Sequence, residues 1–506
     1  MPDYAVAAGH ELTAAAAADV CAAGGSAVDA AIAGALVACV AEPVLAGLCG
    51  GVFLMVRGPE GQTALLDGFV QTPRRKRPPA ELDFREIHAD FGSVRQAFHI
   101  GTGAIATPGF AAGLGEAHAR HGRVPMAELA EPAVKAARDG VEVSAFQARL
   151  ARIVAPILTA SDGARALFCD GDELLAAASL YRNPALADVI EVMALEGARF
   201  VTEGEVAAGL LALTSEGGHL ERADLARYRP VWRTPLTRRR GHARIALNPP
   251  PALGGMLIAF ALELIERGAP PVSLARAFAA TCRARVEAAL QDDPVAGAQA
   301  LLSDDLIARY RREVAGRPAA VRGTTQISVI DGHGMGAALT LSNGEGCGLV
   351  IPGTGIMPNN MLGEEDLVPG GWQSWTPDVR LSSMMAPLAV DWPDGRVAMI
   401  GSGGSNRIRT ALTQVLLGLV DRDLPLGAAI EAPRLHVECD AETTVDFEQP
   451  GLAEGDRVAL LDAFPEARGW NELSMFFGGA HAVMRQANGA LVAAGDPRRA
   501  GAARSG

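Results

Sequence analysis

Segments that read as strands lie at the two ends of the 506-residue chain, and helix-like sequence fills the middle. Near the front, "LCGGVFLMVRG" from Leu48 reads as a buried strand with a glycine-lined entry, and "TALLDGFV" from Thr63 as its hairpin partner. From Thr107 to Ala320 the pattern is mostly helical, with Gly and Pro breaks. Strand texture returns at Thr324, where "TTQISVID", a "GHGM" turn and "GAALTLSNG" make a hairpin. Near the end, "AHAVMRQANGALVAAGD" is another hairpin with an Asn-Gly turn. Strands at both ends with helices between them predict one composite α/β domain whose sheets draw on distant parts of the chain.

Two Ala-rich helices open the sequence. "ELTAAAAADVCAAGG" is closed by Gly24-Gly25, and Ser26 caps "SAVDAAIAGALVACVAEP", which stops at Glu42-Pro43. Side chains this small predict tight packing inside a layered fold. Hydrophobic residues make up 49% of the chain, enough for a large core, and the net charge of −13 argues against a nucleic-acid partner. The short basic run "RRKRP" at Arg74 reads as a solvated loop. Seven cysteines form no C-x-x-C pair, which fits free thiols in a reducing compartment. The N-terminus lacks a basic n-region and an unbroken apolar h-region, and the longest apolar run, "AAIAGALVACVA", is too short to span a bilayer. A cytoplasmic protein without membrane contact is the expectation. His118 and His121, with arginines beside them and only Glu116 as an acidic neighbour, read as a solvated helix face, so neither a metal nor a cofactor is expected.

The chemistry centres on "RGTTQISVID" from Arg322. A threonine hydroxyl is a poor nucleophile unless a base takes its proton. If Thr324 becomes the first residue of a chain, its own α-amine, with a reference pKa of about 7.7–8.0, can be that base. This requires cutting the Gly323–Thr324 bond, and glycine tolerates the strained backbone through which the hydroxyl reaches the preceding carbonyl. Taken alone, the fragment reads as a turn into an edge strand.

Its surroundings decide otherwise. "TTQISVID", "PGTGIMPNN", "RLSSMMAP" and "GSGGSNRIRT" resemble the small-subunit signature of the γ-glutamyltranspeptidase family, and "GGSAVDAAIAGALVACVAEPVLAGLCGGVFLMV" resembles its large-subunit signature. "ATPGFAAGLGEAHARHGRVP", "EAPRLH" and "AAGDPR" also fit, so the resemblance covers nearly the whole chain. It implies an α/β N-terminal-nucleophile hydrolase fold, an αββα sandwich of two stacked antiparallel sheets between helical layers. It further implies self-cleavage into a large region, 1–323, and a small region, 324–506. The two fragments would stay associated as a heterodimer, with a dimer of heterodimers left open, acting on a small-molecule substrate.

By the same resemblance Thr324 is the processing residue and the nucleophile, and Gln326 stands where relatives often carry histidine. Ser342 falls near the family's second hydroxyl, with Thr340 on the same strand face as the alternative. The oxyanion donors map onto Gly403, Gly404 or Ser405, in a register left open because a proline is missing before the glycine pair. Ser382 and Ser383 match the serine pair that helps hold the substrate carboxylate, and Asn343 and Asn360 fall on the substrate side. The departures concern the γ-glutamyl grip. Phe69 stands where the carboxylate-clamping arginine belongs, and Arg85 in "DFREIHAD" lies too far downstream. Met361 replaces an amide, leaving Glu364, Glu365 or Asp366 for the amine. Loss of a bidentate arginine–carboxylate contact removes a strong recognition element. The expectation is an intact acyl-transfer apparatus in a rebuilt, more apolar pocket, used on an amide or on an activated C–C bond beside a carbonyl. The competing readings are a true γ-glutamyl enzyme and a non-catalytic scaffold.

Overall fold

The computed structural model describes residues 3–90, 95–288, 290, 293–313, 324–364, 367–368, 371–439 and 443–506. The expected cleavage partner Gly323, together with Glu365 and Asp366, lies outside them. Two central sheets organise the molecule. In chain order their strands are β1 (Ala5–Ala8), β2 (Gly51–Arg57), β3 (Thr63–Gly68), β4 (Val231–Arg233), β5 (Leu236–Arg240), β6 (Ala243–Leu247), β7 (Thr325–Ile330), β8 (Gly336–Ser342), β9 (Leu388–Asp391), β10 (Val397–Gly403), β11 (Gly479–Arg485), β12 (Leu491–Ala494) and β13 (Ala502–Ser505). The seven-stranded sheet runs β4-β3-β2-β8-β7-β1-β13 and the six-stranded sheet β5-β6-β9-β10-β11-β12. The pairings along both are antiparallel.

Each sheet therefore mixes strands from before and after Thr324, as the placing of strand-like sequence required. The β7–β8 hairpin is wedged between β2 and β1, with β7 buried along its whole length. One difference from the sequence reading is that the mid-chain stretch is not helical throughout. Val231–Leu247 supplies β4, β5 and β6, edge or near-edge strands of both sheets. Its alternation is disguised by the arginines of "LTRRR": Arg239 faces water from an edge position, whereas Arg240 turns inward and pairs with Asp421.

The sheets pack face to face, β1, β7 and β8 against β10 and β11. Helices α1 (Glu11–Ala22) and α2 (Ala27–Ala41) cover the outer face of the first sheet; α3 (Gly254–Leu264) and α4 (Arg407–Leu416) cover the second. Helix α2 is buried along its entire length, which is why it is apolar on every side. Its start is fixed by a capping box: Ser26 Oγ accepts from the Asp29 amide at 3.1 Å, and Asp29 Oδ2 accepts from the Ser26 amide at 2.9 Å. Gly24 takes φ +88°, the left-handed conformation expected at the end of α1. Among the described residues no helix is long and apolar enough to cross a membrane.

Two of the motifs quoted above, "EAPRLH" and "AAGDPR", meet in a buried ion network. Asp496 faces Arg434 at 2.7 Å and Arg498 at 3.3 Å, and Arg498 also holds Glu448 at 2.5 Å. Burial opposes the charge on Asp496, but Arg434, Arg498 and backbone donors outweigh it and hold the carboxyl below its usual range. The stabilisation is therefore complete above the unfolded-state pKa and is lost as pH falls through the depressed folded value. Asp496→Ala leaves two buried guanidinium groups undercompensated. It is expected to cost about 3–5 kcal/mol, read as a lowered urea midpoint at pH 7.

Candidate active site

Thr324 sits at the head of β7, 3% exposed. The ladder pairs Thr325 with Leu341, so one step outward brings Thr324 opposite Ser342, whose other neighbour is Gly51 of β2. Strand alternation then sorts the side chains. Thr325 points to the helical layer, its hydroxyl donating to Glu42 Oε2 at 2.7 Å. Gln326 and Ser328 point toward the second sheet: a Cβ on Gly401 would stand 2.0 Å from Gln326 Oε1, and Ser328 donates to the His481 carbonyl at 2.9 Å. Thr324 shares that inner face.

The two hydroxyls left open by the sequence have different positions. Thr340 donates to Gln326 Oε1 at 2.5 Å, two residue pairs deeper in the sheet. Ser342 is the residue across from Thr324, and its Oγ accepts from the Gly344 amide at 3.1 Å. The second sheet approaches through the end of β10. A Cβ built on Gly403 would lie 1.8 Å from the Thr324 carbonyl oxygen, so only a bare backbone fits there. Gly404 follows at φ +120° and Ser405 at φ +47°, a left-handed serine. Such strain in a non-glycine residue costs about 1–3 kcal/mol and collects at functional sites. The turn delivers both residues to the N-terminal end of α4, where backbone N–H groups lack intrahelical acceptors and the helix dipole favours negative charge. Asn406 and Arg409, at the same end, are both tied to Glu438, at 2.7 and 3.2 Å.

Two residues passed over in the sequence complete this corner. Arg499 donates to the Thr324 carbonyl at 3.3 Å and lies against Gly403 and Gly404. Burial pulls its pKa down to about 10, against the opposing pull of Asp496, Glu42 and Glu345. Glu42 is pushed up to about 7 by burial, despite hydrogen bonds from Thr325 and Thr13 and the charge of Arg499.

A family model for gamma-glutamyltranspeptidase matches residues 13–506. The chain belongs to the gamma-glutamyltranspeptidase family. It is 29% identical to the acylase ACY 1 proenzyme of Pseudomonas sp. (strain SE83), across 91% of this chain and 84% of that one. It is also 29% identical to the glutathione hydrolase proenzyme of Pseudomonas aeruginosa, across 98% and 93%. The structure of a cephalosporin acylase from Bacillus halodurans superposes with a TM-score of 0.85 at 23% identity, covering 99% of this chain and 96% of that one. The resemblance read from the motifs and the N-terminal-nucleophile hydrolase fold are both borne out. The chain is thus a gamma-glutamyltranspeptidase-family acyl hydrolase or transferase.

On the substrate side the predicted residues divide. Asn360 and Glu364 converge above Gly344, two residues beyond Ser342; a Cβ there would meet Asn360 Oδ1 at 2.2 Å and Glu364 Oε1 at 2.4 Å. Asn343 turns the other way. Its amide donates to the Met357 carbonyl at 3.0 Å and it packs on Gly47, beneath the helical layer, which gives it a structural task. Ser383 braces α3, its carbonyl accepting from Leu253 and Gly254 and its hydroxyl from Met385, whereas Ser382 is half-buried.

Phe69 is 1% exposed and stacks on Phe53 with ring centroids 5.3 Å apart, its ring over Gly51. A guanidinium does come near: Arg380 donates to the Phe69 carbonyl at 2.5 Å. It is already engaged by Tyr228, the Arg229 carbonyl at 2.7 Å and Asp67 at 3.4 Å. Arg85 lies in a separate hairpin and pairs with Asp83 at 2.8 Å, so it does not turn inward. His99, whose carbonyl accepts from Asn360 at 3.4 Å, stacks on Phe84 and Trp372 at 4.3 and 4.1 Å. His118 bonds the Val124 carbonyl and His121 packs on Trp232. Among the described residues no group of three or more His, Cys, Asp or Glu side chains could hold a metal.

Proposed function

We propose that the chain cuts itself before Thr324 and then uses that threonine as an N-terminal nucleophile on an amide whose acyl group is not γ-glutamyl. The observation that carries the reading is the placing of Thr324: at a sheet mouth, opposite Ser342, with its carbonyl against Gly403 and Arg499. In the precursor the Thr324 hydroxyl attacks the preceding carbonyl, the peptide C–N bond breaks as the ester forms and the α-amine is freed, and water then hydrolyses the ester to restore the hydroxyl. In turnover that amine takes the hydroxyl proton as Oγ attacks the substrate carbonyl. The oxyanion is held by N–H groups of the 403–405 turn, and the leaving amine departs with the proton. Water, or a second amine, then attacks the ester and restores the threonine.

The substrate reading is supported by Phe69, which supplies no charge, and by Arg380, whose Nη1 and Nη2 already donate to protein oxygens and whose charge faces Asp67. The aromatic set Phe84, His99 and Trp372 beside Asn360 favours an apolar or aromatic acyl group. A second reading keeps a γ-glutamyl donor, and the converging Asn360 and Glu364 oxygens, suited to an ammonium, are what favour it.

Four p-nitroanilides separate the two. γ-Glutamyl carries both charged groups, glutaryl lacks the amine, 4-aminobutyryl lacks the carboxylate and 4-phenylbutyryl lacks both. The expected order has 4-phenylbutyryl at least about tenfold above γ-glutamyl in kcat/KM, the value of roughly one lost recognition contact. Robust turnover of γ-glutamyl anilide and glutathione, with the other three slow, would sink the proposal in favour of the second reading.

A further inference from the structure

Glu42 closes α2 as its C-cap and is 1% exposed. Its two oxygens are taken by hydroxyls from separate elements: Thr325 of β7 at 2.7 Å and Thr13 of α1 at 3.2 Å. Gly9 leaves the necessary room, since a Cβ there would stand 2.5 Å from both Glu42 Oε2 and Thr325 Oγ1. Arg499 acts on it through its positive charge and donates from Nη1 to the carbonyl of Thr324. A carboxylate in this place is costly on two counts. It is removed from water, and it sits at the helix end where unsatisfied carbonyls already concentrate negative potential. Stability does not call for it.

We infer that Glu42 is a positioning residue for the nucleophile: as a carboxylate it clamps Thr325 and orients the guanidinium that holds the carbonyl of Thr324. The inference rests on the reading of Thr324 as the nucleophile. Protonation turns one carboxylate oxygen into a donor, and the groups around it, Thr13, Thr325 and Arg499, are themselves donors. The clamp therefore loosens in the acid form.

Among the described residues the Cys39 thiol, one turn back on α2, also faces Glu42; burial pushes it far above its usual range, so it is neutral. After cleavage the α-amine of Thr324 lies next along the chain from Thr325. With the Glu42 carboxyl pushed up to about 7 by burial, the change of state falls within the working pH range. Both Glu42 and the α-amine must be deprotonated for full rate. Below both pKa values log kcat/KM should then climb with a slope of about two, against about one if the amine acts alone.

The experiment follows hydrolysis of 4-phenylbutyryl p-nitroanilide, or of whichever of the four anilides above the processed wild type turns over, from pH 5.5 to 9. Processed wild type is expected to show the steeper acid limb. Glu42→Gln should lower the plateau at least about a hundredfold and reduce the limb to a slope of about one. Thr325→Val, which keeps the carboxylate and removes one hydroxyl, should lower the plateau and keep the steeper limb. It also serves where Glu42→Gln does not fold, since a wild-type plateau in Thr325→Val overturns the inference. Equal slopes in wild type and Glu42→Gln overturn it too, with Thr324 still the nucleophile. Uncleaved or wholly inactive wild type overturns the underlying reading and this inference with it.

Discussion

Thr324→Ala is expected to run as one full-length band on a denaturing gel, while wild type runs as two fragments, the smaller beginning at Thr324. The reason is that one oxygen is asked to do two things. It makes the ester through which the chain opens, freeing the amine in that step, and once hydrolysis restores its hydroxyl it becomes the nucleophile that the amine activates. Removing it abolishes both, so turnover of any accepted anilide should fall at least about a thousandfold, as it does when a nucleophile is deleted from a cooperating set. Thr324→Ser keeps the oxygen and the amine, and should still cleave. Intact wild-type protein with full activity would refute the mechanism, because Thr324 Oγ would then lack its base. Mass spectrometry of the smaller fragment gives the sharper reading, since cleavage one residue away would leave Thr325, whose hydroxyl points at Glu42 and away from the inner face.

Much of this site was legible because its parts are local. The β7–β8 hairpin, the Ser26 cap and the glycine turn at Gly403–Ser405 each announce themselves within a few residues. What escaped was contact across the chain. Glu42 and Thr325 are 283 positions apart, and Arg499 lies 175 positions beyond Thr324. In sequence Glu42 is only the polar end of an apolar helix, and Arg499 the second arginine of "DPRR". The signal for Glu42 was the run of apolar side chains up to it, which forces an acid under cover. Asn343 could have been sorted by alternation, since it follows Ser342 and so starts on the opposite face. Arg380 needed the fold, because its partners come from two stretches far from it, Tyr228 from one and Asp67 with the Phe69 carbonyl from the other. The motifs "EAPRLH" and "AAGDPR" announced family membership, but the ion network that joins them becomes readable only when Asp496 is seen between Arg434 and Arg498.

Gly403→Ala is the second large effect expected. The added methyl would stand 1.8 Å from the Thr324 carbonyl oxygen and within 3.2 Å of Arg499, and the first of these is backbone that no rotamer change can move aside. Either the end of β10 retreats or the head of β7 does. In both cases the distance between the nucleophile and the N–H groups of the turn changes by about the length of a bond. Misplacing oxyanion donors costs about 10²–10³ in kcat. The loss should appear in kcat more than in KM, because the donors act on charge that develops only in the transition state. Processing should slow as well, since the head of β7, with the hydroxyl that opens the chain, is displaced relative to the turn. Overpacking adds about 1–3 kcal/mol of destabilisation. Gly427→Ala is the matched control: it sits in a helix spanning Leu426–Glu431 with nothing within 4 Å of the added methyl. There alanine should be neutral or stabilise by up to about 1 kcal/mol, with activity unchanged. If Gly403→Ala also retained wild-type kcat and cleavage, the close approach of β10 to Thr324 would have no part in the chemistry, and the oxyanion donors would have to come from another element.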